Sequence, residues 1–266
     1  VLVYEEKDET FSTGVYKSKS EDYIMIFSSQ TLSSEHRYLD ANTPNGEWKV
    51  IQPREKNLTY DVSHFQNYFY IRTNLTAKNY KIVKTPVTST TKKNWIDILP
   101  HRDDILVSGI ELFNDYLVIN ERVNGLSAIR IKAWNGTDHY IQFNDPAYLA
   151  YLTSNLDFDT KILRYGYTSL TTPNSVFDYN METKEQVLLK QEDVLDSNFA
   201  SENYISERIS VTARDGAKVP ISIVYKKGTK KSADTPLLLY AYGSYGSSSE
   251  PTFSSDRLSL LNRGFI

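Results

Sequence analysis

The sequence predicts a mostly β protein, in which a partial β-propeller is followed by the first strands of an α/β domain. The chain has 20 tyrosines and 11 phenylalanines but only 2 methionines, a composition typical of sheet rather than helix. A pattern of short strands returns about every 47 residues over most of the length. After Lys190 this pattern stops and the apolar residues follow a different arrangement. These three observations define the fold class.

Composition and charge exclude several classes of protein. A chain of 266 residues and 30.6 kDa is one large domain or a domain with part of another. A net charge of -3 leaves no basic excess to neutralise phosphates, so we expect no nucleic-acid partner. No run approaches the ~20 apolar residues that cross a bilayer, so we expect no membrane association. The absence of cysteine excludes disulfides and cysteine-ligated zinc.

The repeat is clearest in its most apolar strand, which occurs four times. This strand is short, rich in β-branched and aromatic residues, and entered from a polar turn, which predicts burial in a sheet. The four copies lie at 22–26, 67–71, 115–119 and 161–165. Their aligned residues, 45, 48 and 46 positions apart, are Tyr23, Tyr68, Tyr116 and Ile162.

Three further strands accompany each copy, and four strands per repeat is the number expected of a propeller blade. One precedes it, near 15–16, 60–62, 106–109 and 147–149. Two follow it, at 36–39, 80–83, 128–131 and 175–178, and then at 48–51, 95–98, 140–143 and 186–189. The predicted blades therefore occupy about 14–53, 58–100, 104–144 and 147–190. An irregular β-sandwich with accidental spacing is the alternative.

The ends of the chain do not belong to this repeat. Residues 1–13, with the strand-like Leu2–Tyr4, are expected to be the end of a preceding blade. The chain begins without an initiator methionine and stops inside an apolar run at 260–266. Because natural termini are usually polar and dispensable, we expect a piece of a longer protein.

A second domain is expected at 202–266, after a polar linker at 191–201. Its first two strands, at 207–213 and 219–225, flank an Asp-Gly turn and predict a hairpin. The segment 236–242 is uniformly apolar, which favours a strand buried on both faces of a parallel sheet.

Few residues suggest metal, cofactor or nucleotide chemistry. The histidines lie one to a blade region, and we expect no carboxylate or second histidine to lie close to them, so we interpret all four as structural or surface residues: His36, His64, His101 and His139. No glycine motif for phosphate binding occurs, and no metal or organic cofactor is predicted. Three glycosylation sequons are interpreted as chance matches, since no signal peptide precedes them: Asn57, Asn74 and Asn135.

The glycine-rich segment 240–247 is the one candidate site. It approaches the nucleophile-elbow pattern G-x-S-x-G around Ser244, but Tyr242 stands where the first glycine is required. Ser244 is therefore not predicted to be a nucleophile. The Tyr242 hydroxyl, at a strand end before a glycine-rich turn, is suited to donate a hydrogen bond to a developing oxyanion. A packing role at the sheet edge is the alternative, and the residues alone do not decide between them.

Several segments resemble the oligopeptidase B branch of the prolyl oligopeptidase family of serine peptidases, over essentially the whole chain. The similar segments are 2–8, 33–41, 69–74, 163–170 and 219–225. The resemblance implies a seven-bladed propeller over an α/β-hydrolase domain, with the last four blades and the start of the hydrolase domain in this chain. It also implies hydrolysis of short peptides after Lys or Arg, with the propeller gating access to the active site.

The resemblance also implies roles for two residues. Tyr242 falls on the tyrosine that donates to the oxyanion, and Tyr245 falls on an aromatic residue that lines the substrate pocket. Ala241 and Ser244 replace glycines that many members have. The Ser-Asp-His triad and the acidic specificity residues come later in the family's order and are not expected in this chain. Residues 1–266 alone are therefore expected to be inactive.

The implied partners are short peptides with Lys or Arg, the earlier blades and the remainder of the hydrolase domain. The absence of cysteine and of a signal sequence favours a cytoplasmic location. Two alternative functions stay open: a non-catalytic propeller that acts as an interaction scaffold, and a truncated, inactive paralogue.

Overall fold

The computed structural model describes residues 2–266; Val1, the first residue of the predicted segment 1–13, lies outside the described residues. The fold is mostly β, as predicted, with four four-stranded antiparallel sheets, a two-stranded hairpin and one short α-helix in the described residues. The chain divides into two compact units. The first contains the chain up to Arg122 together with Lys132–Thr137 and Leu156–Thr160. The second contains Val123–Ile131, Asp138–Asn155 and Lys161–Ile266.

The strands of each four-stranded sheet lie side by side in chain order. The first sheet comprises β1 (Ser12–Lys17), β2 (Tyr23–Gln30), β3 (Ser33–Asp40) and β4 (Lys49–Val50). The second comprises β5 (Tyr60–Phe65), β6 (Tyr68–Thr73), β7 (Lys81–Pro86) and β8 (Ile96–Leu99). The third comprises β9 (Ile105–Leu112), β10 (Tyr116–Val123), β11 (Leu126–Ala133) and β12 (Asp138–Tyr140). The fourth comprises β13 (Tyr148–Leu152), β14 (Ile162–Ser169), β15 (Ser175–Asn180) and β16 (Gln186–Gln191). Every strand that the repeat predicts overlaps one of these.

Alternation of side chains determines which face of a strand is buried. In β11 every second residue is buried, including Ile129 and Ile131, because successive side chains of a strand point to opposite faces. β2 and β3 pair over eight residues, beginning with Tyr23 opposite Asp40. A shift of one residue in the pairing of the two strands would turn the buried side chains toward solvent. The apolar pattern therefore fixes the register.

Two hydrophobic clusters fill the first unit. One is built around Met25, Phe69 and Ile71, which are 1%, 0% and 0% exposed. The other includes Leu117 and Ile119 of β10, both completely buried. These residues come from the apolar strand of successive repeats, so the segments that reveal the repeat also supply the core.

Two tryptophans anchor loops of the first unit. The indole of Trp95 donates to the carbonyl of Thr90 at 2.8 Å and its ring lies 5.7 Å from that of Tyr60. The indole of Trp134 donates to the carbonyl of Phe113 at 3.2 Å. Each large ring is thus packed while its single polar group is satisfied.

The second unit contains the predicted hairpin, formed by β17 (Tyr204–Thr212) and β18 (Lys218–Lys226) with nine residue pairs. Its turn includes Gly216 with φ 87°, a left-handed conformation that favours glycine. The helix α1 (Ser255–Asn262) is capped by Ser254, whose hydroxyl accepts from the amide of Arg257. No helix in residues 2–266 is long and apolar enough to cross a membrane. The buried residues shared by hairpin and helix are Tyr204, Val224, Leu258 and Leu261.

The strand-like segment Leu2–Tyr4 is irregular in the structure, and no strand pairs with it within residues 2–266; its assignment to a preceding blade stays a prediction. Side-chain contacts hold Tyr4 instead. Its hydroxyl donates to Glu6 Oε2 at 2.8 Å, and the guanidinium of Arg37 lies 5.0 Å from its ring. A hydrogen bond and a cation–π contact therefore hold Tyr4 in the absence of strand pairing.

The last strand of the third sheet is displaced from its predicted position at 140–143. The amide of Ile141 still donates to the carbonyl of Ile129 at 3.0 Å. Phe143 then packs against Tyr148, with ring centroids 4.7 Å apart. β12 ends at Tyr140, before this aromatic contact.

The buried strand predicted at 236–242 is wrong. Leu237, Leu238 and Leu239 are 66%, 60% and 74% exposed, and no strand is assigned to them. The Leu238 amide donates to the Ile266 carbonyl at 2.9 Å, and the Ile266 amide donates to the Pro236 carbonyl at 3.0 Å, which is a parallel pairing. Residues 2–266 contain no neighbouring strand or helix that covers both faces, so the apolar side chains stay exposed.

Candidate functional site

Tyr242 lies at the end of the segment 236–242 and is 52% exposed. Its backbone amide donates to the hydroxyl of Ser249 at 3.1 Å. This bond closes the residues between them into a loop that follows the apolar segment. Its role as an oxyanion donor stays a prediction.

Tyr242 lines an apolar groove of about 640 Å³ in the second unit. One wall is formed by β18, and the others by the segment 236–242 and the end of α1. The volume falls within the range of small-molecule and peptide side-chain pockets. Apolar residues of the lining include Val219, Ile221, Leu237, Leu239, Leu260 and Phe265.

Two arginines that the sequence analysis did not single out also line the groove. Arg257 Nη1 donates to the carbonyl of Thr252 at 2.8 Å, and burial lowers the pKa of its guanidinium. Arg208 Nη2 donates to the carbonyl of Asn124 at 2.8 Å. Both side chains fix backbone in the second unit, and no motif in the sequence marks a single arginine for such a contact.

Tyr245 is not part of this groove. It is 92% exposed and lies within a short 3₁₀ turn, Ser244–Gly246. Its φ of 58° is a left-handed conformation that is unfavourable for residues other than glycine. The structure therefore does not bring Tyr245 and Tyr242 into one pocket, and the pocket-lining role of Tyr245 stays a prediction.

The chemistry available at the groove is hydrogen-bond donation without nucleophilic attack. A phenol at the end of an apolar groove can stabilise a developing oxyanion. The hydroxyl of Ser244 has no hydrogen bond to a base within residues 2–266. Acyl transfer needs such a nucleophile–base pair, and Ser244 does not form one within residues 2–266.

One histidine does meet a serine and a carboxylate, which corrects the expectation that no carboxylate lies near a histidine. His64 Nδ1 lies 2.7 Å from Ser20 Oγ and 3.6 Å from Asp22 Oδ2. In a catalytic triad the serine and the acid contact opposite ring nitrogens. Here both contact the same nitrogen, while Nε2 is buried without a partner. Burial lowers the pKa of His64, which favours the neutral ring, and the contacts at a single ring nitrogen are those of a structural residue.

The other histidines have no arrangement suited to a metal. His36 Nε2 lies 3.0 Å from the carbonyl of Tyr60, and His139 Nε2 lies 3.0 Å from the hydroxyl of Tyr179. Among residues 2–266 no group of three or more histidine, aspartate or glutamate side chains is placed to hold an ion.

Comparison with known proteins extends over the whole chain. Residues 1–192 match the family model described as prolyl oligopeptidase, N-terminal beta-propeller domain. The chain is 40% identical to dipeptidyl aminopeptidase BI of Pseudoxanthomonas mexicana, covering 100% of this chain and 36% of that protein. It is 32% identical to protease 2 of Moraxella lacunata, covering 100% of this chain and 38% of that protein. The structure of oligopeptidase B from Leishmania major matches with a TM-score of 0.91 at 30% identity, covering 100% of this chain and 39% of that one. The chain thus spans less than half the length of these relatives.

Proposed function

Because the chain belongs to the prolyl oligopeptidase family, whose N-terminal propeller model matches residues 1–192, we propose that it is part of a serine oligopeptidase. The substrates are short peptides, cut after Lys or Arg. The observation that supports this most directly is similarity to proteins named as peptidases that continues beyond residue 192 to the end of the chain.

In this proposal the four sheets are the last four of seven blades, and 202–266 begins the hydrolase domain. The linker is 191–201 and the residues before 14 end an earlier blade. The propeller limits access to the active site, so folded proteins are excluded and short peptides enter. The remainder of the protein supplies the serine nucleophile, its base and the acidic residues that select Lys or Arg.

Tyr242 has a defined role in this scheme. When the serine attacks the peptide carbonyl, negative charge develops on the carbonyl oxygen. The Tyr242 hydroxyl donates a hydrogen bond to that oxygen. One such donor lowers the barrier by about 3 kcal/mol. Its half-exposed position beside the apolar groove supports this role, because a substrate carbonyl can reach the phenol.

A second candidate activity is the release of dipeptides from a free N-terminus. The observation that favours it is 40% identity to a protein named dipeptidyl aminopeptidase BI. The two activities differ in one requirement, since an aminopeptidase must recognise the free terminal amine whereas an endopeptidase does not.

The full-length gene product distinguishes these functions. We would treat it with a fluorophosphonate serine probe, read its intact mass, and supply paired peptides that differ only in N-terminal acetylation. Cleavage of both peptides after Lys or Arg is expected for the oligopeptidase. Release of dipeptides from the free peptide alone would favour the second activity. A protein without probe label and without cleavage would overturn both, leaving the interaction scaffold or the inactive paralogue.

A further inference from the structure

The ammonium group of Lys19, in the turn between β1 and β2, is enclosed by a set of residues from other parts of the first unit. Lys19 Nζ donates to Glu111 Oε1 and to the carbonyl of Leu112, each at 2.7 Å. It also lies 4.2 Å from the ring centroid of Phe113 and 4.6 Å from that of Phe158. A carboxylate, a carbonyl and two aromatic faces are the groups that bind ammonium ions in proteins. We call the four residues around the Lys19 ammonium the ammonium cage: Glu111, Leu112, Phe113 and Phe158.

Contacts that do not involve Lys19 hold the cage in place. Phe113 is completely buried, and its amide donates to the carbonyl of Tyr116 at 2.8 Å. The ring of Phe158 packs against Phe65 with centroids 5.1 Å apart, and its carbonyl accepts from the amide of Asn114 at 2.9 Å. The aromatic walls therefore keep their positions when the lysine side chain leaves.

The ammonium cage opens into a cavity. Lys19, Glu111 and Phe158 line a space of about 170 Å³ in the first unit. This is room for several waters, each of which takes about 30 Å³ in the liquid. Apolar residues of the same lining include Met25, Val62 and Ile110. The cavity thus offers space for the methylene groups of a second alkylammonium chain beside the Glu111 carboxylate.

Exchange of one ammonium for another leaves the charge of the cage unchanged. Burial lowers the pKa of Lys19 and raises the pKa of Glu111, while the hydrogen bond between them opposes both shifts. The hydrogen bond between them therefore favours the charged form of each partner. An incoming ammonium that replaces Lys19 keeps the carboxylate paired, whereas departure of Lys19 alone leaves it unpaired.

We propose that the ammonium cage is a recognition site for a primary ammonium group, filled in this conformation by Lys19 and taken by the lysine side chain of a peptide that displaces it. The choice of a lysine-containing peptide as the incoming ligand rests on the proposed function. The capacity of the cage to bind an ammonium does not.

The first test empties the cage in the full-length protein. Lys19→Ala should bind n-butylammonium saturably in the millimolar range, seen as a rise in thermal midpoint and by calorimetric titration. Lys19→Met, which fills the cage without a charge, should show no such binding. Lys78→Ala is the matched control, because Lys78 also lies in a turn of the first unit but is exposed and does not line this cavity. An equal rise in thermal midpoint and equal calorimetric binding of n-butylammonium in all three variants would overturn the proposal.

The second test uses the wild-type cage and does not depend on Lys19→Ala being folded. Nα-acetyl-lysine amide should bind, and the same compound acetylated on its ε-amine should not. Glu111→Gln should lower the affinity for the charged compound at least ~10-fold, because one partner of a buried charged hydrogen bond is neutralised. Equal affinity of wild type and Glu111→Gln would overturn the displacement by a peptide lysine. Both tests measure binding without catalysis, so they can succeed even if the cleavage experiment fails.

Discussion

Tyr242 supplies one candidate catalytic atom, its phenolic oxygen, beside the apolar groove. Tyr242→Phe in the full-length enzyme should lower kcat by ~10²-fold or more, since one oxyanion donor is lost while the ring is retained. Steady-state kcat and KM with a short Lys or Arg peptide are the measurement. Tyr240→Phe is the control, because Tyr240 lines the same groove and has no predicted role. An unchanged kcat for Tyr242→Phe, or equal losses in both variants, would remove the assignment.

Glu6 determines a pH dependence of stability. Arg54 Nη2 lies 2.6 Å from its carboxylate, and this hydrogen bond lowers the pKa of Glu6 from 4.5 to about 2. Because the folded pKa is depressed, the contact stabilises the fold above about pH 4.5 and its contribution is lost as pH falls toward 2. Unfolding midpoints of wild type and Glu6→Gln should therefore differ at neutral pH and converge on acidification. The exposed Glu5→Gln should follow wild type at every pH, and a constant gap between wild type and Glu6→Gln would contradict the mechanism.

Tyr242 could be predicted as a candidate site residue from the sequence, whereas Lys19 could not, for a physical reason. Tyr242 is marked by its neighbours, an apolar run before it and glycines after it. Lys19 and Glu111 are 92 residues apart, so only the packing of different sheets brings them together. A lysine in a polar turn is otherwise typical of solvent exposure.

In strand β14, Gly166 leaves space beside the backbone that the ring of Tyr151 occupies. A Cβ built on Gly166 would lie 2.3 Å from the ring of Tyr151 on the neighbouring strand β13. Gly166→Ala should displace that ring and lower the unfolding free energy by about 1–3 kcal/mol. Thermal unfolding of the full-length protein is the measurement. Gly109→Ala in β9 is the control, since the nearest atom to its new Cβ would be 4.0 Å away. Equal midpoints for the two variants would show that the Tyr151 ring moves at no cost.

The four-stranded sheets could be predicted from the sequence because their strands use local rules. Period-2 alternation and polar turns recur at a constant spacing, and neighbouring strands in the chain are neighbours in the sheet. The segment 236–242 follows a different rule, since a parallel strand depends on partners that are distant in the chain. Its sequence predicts a buried strand, but residues 2–266 offer only Ile266 as a backbone partner and the segment stays exposed. Strand pairing therefore decides whether the pattern becomes a strand.

The molecule of residues 1–266 exposes apolar surface that predicts self-association. Leu237, Leu238 and Leu239 are 60–74% exposed, and all six residues of β16 are exposed. Contiguous surface of this kind drives association in soluble proteins. Light scattering should show oligomers or aggregates of the isolated chain, and fewer of them after Leu238→Asp with Leu239→Asp. Leu195→Asp is the control, because Leu195 is 98% exposed but lies outside both patches. A monodisperse monomer at all concentrations would contradict this prediction.

The placement of the indole rings has a spectroscopic consequence. All three tryptophans, Trp48, Trp95 and Trp134, belong to the first compact unit, whereas tyrosines occur in both. Fluorescence excited at the long-wavelength edge of the indole absorption therefore reports on the first unit alone. Far-ultraviolet circular dichroism follows the strands of both units. A denaturation experiment that records the two signals together would separate the opening of one unit from that of the other, without any label.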